Sequence, residues 1–199
     1  MNKKGTLIVL SGFSGVGKNT IITQVLAQRP EIYYSVSFTT RAPREGEVDG
    51  VNYNFVTRED FQRRIDRGEF LEYAEYNSNF YGTSLAVIRQ KLDQGTDVLL
   101  EIEVQGAAKV LEKMPEAVSL FIVPPSFEEL SRRLHARGTD SEETIQKRLA
   151  IARVEAREVK NYDYIIVNDT VEGAVEEFFA ILTAERCRKD RRIHLVEGV

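Results

Sequence analysis

A short apolar run leads directly into a glycine-rich loop near the start of the sequence, and this combination limits the folds that the chain can adopt. Residues 6–10 read Thr-Leu-Ile-Val-Leu, and a continuous apolar run is typical of a strand buried on both faces in a parallel sheet. Glycines follow at positions 12, 15 and 17, then a lysine at position 18, and the pattern of Lys18–Gln28 predicts a helix. Glycines between a strand and a helix let successive backbone N–H groups converge on one anion, and the helix N-terminus adds positive potential. The sequence therefore predicts a phosphate-binding loop.

This loop indicates a nucleoside triphosphate as ligand. We expect Lys18 to bridge the β and γ phosphates. The usual pattern has a serine or threonine directly after the lysine, whereas this chain has Asn19. We therefore expect the hydroxyl of Thr20 to take over as the magnesium ligand. A glycine-rich turn with a solvated lysine is the alternative, and the loop alone does not specify a reaction. The residues expected to contact the triphosphate are Gly12, Phe13, Ser14, Gly15, Val16, Gly17, Lys18, Asn19 and Thr20.

Further strands and helices alternate along the chain. Apolar runs predict strands at residues 98–100, Val118–Val123 and Tyr164–Val167. Periodicity, caps and breakers predict helices at residues 84–94, 105–113, 126–137, 142–160 and 172–188. Such alternation predicts an α/β fold with a parallel sheet and helices on both faces.

The stretch from residue 35 to residue 83 interrupts this alternation. It is rich in turns and has short alternating segments around residues 53–55 and 71–76. One amphipathic helix is expected at residues 58–67, where Gly68 ends it. We interpret this stretch as a small α+β insertion.

Composition excludes several classes of protein. The 199 residues are 42% apolar and 29% charged, which is ordinary for one large or two small soluble domains. Cys187 is the single cysteine, so neither an internal disulfide nor a cysteine-rich zinc cluster is possible. A net charge of −4 argues against a surface built for nucleic acid, and the basic residues at 186–192 read as a helix end. No apolar run approaches the ~18 residues of a membrane span. We expect a cytoplasmic protein with neither membrane nor nucleic acid as partner.

Several segments, taken in order and spacing, resemble guanylate kinases across essentially the whole chain. The segments that carry the resemblance are the glycine-rich loop, Ser37-Phe38-Thr39-Thr40-Arg41-Ala42-Pro43-Arg44, Gly46-Glu47-Val48-Asp49-Gly50, Tyr53, Glu72, Tyr81-Gly82-Thr83, Glu101-Ile102-Glu103-Val104-Gln105-Gly106-Ala107, Arg137-Gly138-Thr139 and Val167-Asn168-Asp169. The resemblance implies a P-loop nucleoside monophosphate kinase-like core at residues 1–34, 84–125 and 156–199. It also implies a GMP-binding insertion at 35–83 and a helical lid region at 126–155.

The resemblance also implies which residues bind the acceptor. Arginine forks match phosphate oxygens, although Arg41 and Arg44 could equally be exposed loop charges. The resemblance places the hydroxyls of Tyr53 and Tyr81 at the same phosphate, although both could be half-buried strand aromatics. Guanine presents N1–H and N2–H₂ side by side, so one carboxylate can accept from both. Glu72 stands in a largely apolar frame and matches the guanine-reading glutamate, with a solvent-facing strand-edge glutamate as the alternative. The residues expected to bind GMP are Ser37, Arg41, Arg44, Tyr53, Glu72, Tyr81, Thr83 and Glu103.

Two carboxylates follow the apolar strand at residues 98–100. Glu101 and Glu103 are two residues apart, so on a strand they would point to the same face. The resemblance implies that Glu101 lies near the Mg²⁺ that bridges the nucleotide phosphates, with water between them, and that Glu103 is a second guanine reader. Many family members have aspartates at both positions. A polar strand end at the rim of the sheet is the alternative.

Basic residues complete the expected site. Arg133 and Arg137 are four apart, hence on one helix face, and Arg148 follows on the next helix. They resemble the mobile lid of the family, although a salt-bridged surface helix remains an alternative. Asn168 and Asp169 match positions near the adenine of ATP, or form a turn. The expected catalytic set is Lys18, Arg41, Arg133, Arg137 and Arg148.

The expected reaction is ATP + GMP ⇌ ADP + GDP with Mg²⁺, by direct in-line transfer, in a monomer or homodimer; the use of dGMP stays open. One rival is another small-molecule kinase on the same scaffold, against which Glu72 and Glu103 argue. A second rival is a non-catalytic interaction module that resembles the enzyme. Such modules typically have a degraded phosphate loop, whereas Gly12, Gly15, Gly17 and Lys18 are all present here. Asn19 is the one feature that favours this rival.

Overall fold

The computed structural model describes residues 4–76, 78–136, 138 and 140–196. Its strands are β1 (Leu7–Gly12), β2 (Tyr33–Tyr34), β3 (Phe38–Thr39), β4 (Asn54–Phe55), β5 (Phe70–Tyr76), β6 (Asn79–Ser84), β7 (Val98–Glu101), β8 (Val118–Val123) and β9 (Tyr164–Val167). Its helices are α1 (Lys18–Gln28), α2 (Arg58–Asp66), α3 (Leu85–Asp93), α4 (Val104–Lys113), α5 (Phe127–Ala136), α6 (Glu142–Glu155), α7 (Val171–Arg186) and α8 (Lys189–Arg192), with 3₁₀ turns at Val159–Asn161 and Ile193–Leu195. None of the helices in these ranges combines the length and apolar character of a membrane span.

The chain divides into two compact units. The first contains the described residues up to Leu10 together with Arg29–Ser119. The second contains Ser11–Gln28 and the described residues from Leu120 onwards. The three-part division expected from the resemblance stays a prediction.

Parallel strands form the centre of the first unit. β7 pairs with β1 from Leu7↔Val98 to Leu10↔Glu101, and with β2 from Tyr33↔Val98. Residues 7–10 and 98–100 are almost completely buried, which confirms that these apolar runs are buried strands. The strand at Tyr33–Tyr34 was not predicted.

A second sheet in the first unit carries most of the predicted insertion. Its strand order is β4-β3-β6-β5, with β3 and β4 parallel and the other pairs antiparallel. α2 buries Phe61 completely, and its ring stacks on Phe70 at 4.4 Å and on Phe80 at 5.3 Å. The α+β character of the insertion is therefore confirmed, although β3 and β6 were not predicted.

The second unit contains the parallel pair β8 and β9, in register from Leu120↔Tyr164 to Val123↔Val167. Ile166 is fully buried, whereas Ile165 is 54% and Val167 41% exposed. β9 is therefore buried on one face only, which corrects the expectation from its apolar run.

The end of α6 differs from the predicted end, whereas the predicted start of α5 is confirmed. α6 ends at Glu155 and not at Lys160, because its buried positions end at Ala152 and the following segment is mostly charged. α5 begins after Ser126, whose hydroxyl accepts the N–H of Glu129 as an N-cap.

Candidate functional site

The glycine-rich loop joins β1 to α1 within the second unit. Gly15 and Gly17 have φ values of 91° and 99°, a region that side chains with a Cβ rarely adopt. A Cβ at Gly17 would also lie 2.7 Å from the side-chain amide nitrogen of Asn168. The glycines are thus required by backbone conformation and by close packing. The loop therefore has the tight glycine-dependent conformation expected from the sequence, and phosphate binding stays a prediction.

Asn168 holds this loop from the end of β9. Its side chain is 4% exposed, and its amide donates to the carbonyl of Val16 at 2.7 Å. Its own N–H donates to the carbonyl of Val123 at 2.8 Å. No local sequence pattern indicates this contact, since the loop and Asn168 are far apart in the chain. A contact of Asn168 with adenine stays a prediction.

Lys18 lies at the start of α1 and bends back over the loop. Its ammonium donates to the carbonyls of Gly12 at 2.7 Å and Phe13 at 3.2 Å. The side chains of Asn19 and Thr20 are exposed. A cavity of about 340 Å³ opens here, lined by Gly15, Val16, Gly17, Thr20, Arg132, Arg133, Ala136, Asn168 and Val171.

Arg133 is the predicted catalytic arginine that the structure brings to the loop. Its Nε donates to Glu129 at 2.6 Å, and its two terminal nitrogens donate to the carbonyls of Val16 at 3.4 Å and Asp169 at 3.5 Å. Arg148 instead pairs with Asp140 at 3.3 Å. Arg137 lies outside the described residues. Glu129 therefore orients Arg133, whereas Arg148 pairs with a different carboxylate. The assignment of these arginines to a lid stays a prediction.

In the first unit, Arg41 is held in an ordered cluster of charge and aromatic rings. Its guanidinium forms a bidentate ion pair with Glu47, at 2.7 and 2.9 Å, and its Cζ lies 5.3 Å from the ring centre of Tyr53. The rings of Tyr53 and Tyr81 are 5.9 Å apart. Hydrogen bonds from Arg41 and from the N–H of Arg44 lower the pKa of Glu47 to about 2. Four residues predicted to bind the acceptor phosphate thus lie close to the Arg41–Glu47 ion pair, and Glu47 itself was not predicted.

Glu72 is a buried carboxylate on β5. It is 6% exposed and accepts a hydrogen bond from the Thr83 hydroxyl at 2.7 Å, directly across the ladder on β6. Burial raises the pKa of Glu72, an effect opposed by Thr83 and by the positive charges of Lys109 and Lys113. A solvent-facing strand-edge glutamate, the alternative considered for Glu72, is wrong.

Glu101 and Glu103 do not share a strand face. β7 ends at Glu101, which accepts a hydrogen bond from the Tyr34 hydroxyl at 3.0 Å. Glu103 is the exposed N-cap residue of α4, and its carbonyl accepts the N–H of Ala107 at 2.9 Å. The expectation that Glu101 and Glu103 lie on one strand is therefore wrong, because β7 ends at Glu101 and α4 begins at Val104. Burial and the Glu101 charge both raise the pKa of Tyr34.

Ser37 completes the set of predicted acceptor residues. It is partly buried, and its carbonyl accepts the N–H of Asn54 at 2.9 Å beside the β3–β4 pair. Among the described residues, no three or more His, Cys, Asp or Glu side chains cluster as a metal site. The predicted donors are the Thr20 hydroxyl and the Glu101 carboxylate. Each carries oxygen donors of the kind that Mg²⁺ prefers, and Mg²⁺ binding by these residues stays a prediction.

Comparison with known proteins gives a consistent result. The guanylate kinase family model matches residues 4–185. A guanylate kinase from Halalkalibacterium halodurans is 52% identical, over 96% of this chain and 94% of that protein. One from Lactococcus lactis is 50% identical, over 100% of this chain and 99% of that protein. A crystal structure of guanylate kinase from Anaplasma phagocytophilum superposes with a TM-score of 0.79 at 38% identity, covering 99% of this chain and 96% of that one.

Proposed function

Because this chain belongs to the guanylate kinase family, we propose that it transfers the γ-phosphoryl group of ATP to GMP, giving ADP and GDP. The observation that carries the choice of acceptor is the buried carboxylate of Glu72. A carboxylate offers about four lone-pair positions, so the hydrogen bond from Thr83 leaves room for the two adjacent donors of guanine. Adenine has no such donor pair, so its binding would leave the buried carboxylate without hydrogen-bond donors from the base. The kcat/KM for GMP should therefore exceed that for AMP by a large factor.

The donor nucleotide would bind through the loop at Gly12–Lys18 and the first turn of α1. Successive N–H groups of the loop would cradle the phosphates, and the ammonium of Lys18 would exchange its carbonyl partners for phosphate oxygens. Asn168 and Asp169 would lie near adenine. Arg133, with Arg137 and Arg148, would add positive charge when the lid region closes. Thr20 and Glu101 would hold the Mg²⁺ of the ATP complex, which supplies further neutralisation of phosphate charge.

The acceptor would bind through residues of the first unit. Arg41, Arg44, Tyr53 and Tyr81 would hold the phosphate of GMP. The base would be held by Glu72 with Thr83, and by Ser37 and Glu103. The structure supports this grouping through the cluster around Arg41 and the Glu72–Thr83 pair.

In the reaction, an oxygen of the GMP phosphate attacks the γ phosphorus in line. The new O–P bond forms as the bond to the β-phosphate oxygen breaks, and ADP leaves with that electron pair. Positioning and charge neutralisation by Lys18 and the arginines do most of the work in such transfers. The acceptor phosphate is already largely ionised near neutral pH, since its second pKa is about 6, so no general base is required. We place this activity in the cytoplasm, in a monomer or homodimer.

The experiment that tests the proposal measures ADP formation from Mg·ATP with GMP, dGMP, AMP, CMP and UMP offered separately, in wild type and in Glu72→Gln. We expect turnover with the guanine nucleotides only. Glu72→Gln replaces one acceptor by a donor that faces guanine's donors, so kcat/KM for GMP should fall about 10²-fold or more, with KM for ATP nearly unchanged.

Glu75→Gln is the matched control. Glu75 lies on the same strand, is half exposed and pairs with Arg58 at 3.3 Å, so its substitution should leave GMP kinetics unchanged. Unaltered GMP kinetics in Glu72→Gln would overturn the guanine-reading assignment. Binding of GMP without any turnover would favour the interaction module, for which Asn19 in the loop is the supporting observation.

A further inference from the structure

We propose that Glu47 is a positioning residue that fixes the direction in which Arg41 and Arg44 meet the acceptor phosphate; this inference rests on the proposed function. Glu47 lies on the turn between β3 and β4. In the same segment, the side chain of Asn52 accepts a hydrogen bond from the N–H of Val48. Its carboxylate contacts both arginine positions. Nothing in the reaction requires Glu47 to touch a substrate.

The geometry determines which edge of Arg41 is presented. A guanidinium has five N–H donors. Nη1 donates to the carbonyl of Ala42 at 2.8 Å and to Glu47 at 2.9 Å, and Nη2 donates to Glu47 at 2.7 Å. Three donors, including both at the tip of the side chain, are thereby engaged within the loop. The other two, on Nε and Nη2, form the lateral edge, which is a second fork of the shape that binds phosphate bidentately. The Arg41 side chain is also hydrogen-bonded with Tyr81, another residue assigned to the acceptor phosphate.

The same carboxylate fixes the backbone at Arg44. The N–H of Arg44 donates to Glu47 at 2.7 Å, while the N–H of Glu47 donates to the carbonyl of Arg44 at 3.0 Å. Gly46 closes this turn with a φ of 83°. Two hydrogen bonds between Arg44 and Glu47, one donated by each backbone N–H, therefore hold the turn that carries Arg44.

Burial and stacking distinguish this ion pair from ordinary surface pairs. The Arg41 and Glu47 side chains are only 15% and 19% exposed, although both belong to a loop. Arg41 also lies over the rings of Tyr53 at 5.3 Å and Phe55 at 5.8 Å. Exposed ion pairs contribute little to stability, because holding two long side chains in one geometry costs conformational entropy. Here the rings and the turn already order both partners.

A competing interpretation makes the opposite prediction. A carboxylate resembles a phosphate in charge and fork geometry, so Glu47 could instead occupy the place of the GMP phosphate until GMP displaces it. Removing the charge would then strengthen GMP binding. If Glu47 positions Arg41, removing the charge weakens GMP binding. The sign of the change in KM therefore separates the two interpretations.

The test compares Glu47→Gln with Glu45→Gln, which removes the same charge from an exposed position of the same turn. We expect Glu47→Gln to raise KM for GMP about tenfold, the size of one lost charge-assisted hydrogen bond, with kcat within about twofold and KM for ATP unchanged. Inhibition by guanosine, which lacks the phosphate, should be unaffected. Glu45→Gln should match wild type throughout.

Each outcome decides the proposal. A lower KM for GMP in Glu47→Gln would establish the competing interpretation, and equal behaviour of the two variants would show that Glu47 has no role. A fall in both guanosine and GMP binding would indicate a general structural defect and would also overturn it. Should Glu47→Gln fail to fold, Glu47→Asp, which keeps the charge but is shorter, must raise KM for GMP by a smaller factor. A wild-type protein without GMP turnover would overturn the proposed function, and this inference with it.

Discussion

Glu72 keeps a carboxylate inside the first unit, next to Thr83 on β6 and within the field of two lysines of α4. Its pKa is raised because loss of hydration disfavours the charged form more than Thr83 and the lysines favour it. The ionised carboxylate of Glu72 therefore lowers the free energy of unfolding. The protein keeps it nonetheless, which suits a residue whose acceptors are needed by a ligand.

This cost predicts a pH-dependent effect of Glu72→Gln on stability. Because the pKa of Glu72 is higher in the folded than in the unfolded state, the penalty is fully present above the folded pKa and disappears below the unfolded pKa, near 4.3. Glu72→Gln should therefore have a higher Tm than wild type at pH 7–8. The difference should shrink as the pH falls, and differential scanning calorimetry between pH 4 and pH 8 measures it. A pH-independent difference, or a lower Tm at pH 8, would contradict the prediction.

Local sequence patterns predict those features of the candidate site that depend on neighbouring residues. The loop glycines and the burial of Glu72 follow from a glycine spacing and from an apolar frame. The orientation of Glu103 could not be predicted in this way, because the end of β7 depends on where α4 begins. The bond from Asn168 to Val16 joins residues 152 positions apart, and no local pattern signals such a contact.

The packing of α4 on β5 links the two elements that carry Glu72 and Glu103. Lys109 donates to the carbonyl of Tyr73 at 2.8 Å, and Lys113 to that of Leu71 at 2.6 Å. Gly106 lies on the same helix, facing β5. A Cβ at Gly106 would lie 3.1 Å from a carboxylate oxygen of Glu72, a tight contact. The absence of a side chain at Gly106 thus gives the Glu72 carboxylate its space.

We predict that Gly106→Ala raises KM for GMP severalfold by displacing Glu72, although alanine favours a helix by about 1 kcal/mol over glycine. KM for ATP should not change. Ala108→Gly is the control, since it alters helix propensity by a similar amount at an exposed position of α4 and should leave KM for GMP at the wild-type value. Steady-state kinetics with GMP varied at saturating ATP measures both. An unchanged KM in Gly106→Ala would show that Glu72 tolerates the added methyl group.

The elements that sequence analysis missed are short or polar. β2 and β3 have two residues each, which is too few to show a period of two. β6 reads Asn-Phe-Tyr-Gly-Thr-Ser and lacks a clear alternation. Its strand conformation depends on pairing with β3 and β5, and pairing of this kind is set by tertiary structure. Long apolar runs such as β1 and β8, in contrast, were predicted to within about two residues.

At the scale of the whole molecule, the candidate residues for the two nucleotides fall in different units. The second unit contains the residues assigned to ATP and to the transferring phosphoryl group, namely the glycine-rich loop with Lys18, Arg133, Arg148, Asn168 and Asp169. The residues assigned to GMP belong to the first unit, as does Glu101. Each unit buries its own apolar residues, for example Leu99 and Phe61 in the first and Phe178 in the second. Each nucleotide should therefore be recognised mainly by the unit that carries its residues.

This division predicts separate patterns of hydrogen exchange. GMP alone should slow amide exchange in peptides covering residues 37–55 and 70–84, because a ligand suppresses local opening of the segments it contacts. ATP with Mg²⁺ should instead slow exchange around Gly12–Lys18 and α5. Hydrogen exchange followed by mass spectrometry measures both patterns, with AMP as a ligand control and Glu72→Gln as a variant that should lose protection by GMP but keep protection by ATP. Protection by GMP confined to the glycine-rich loop would contradict the assignment of the first unit to the acceptor.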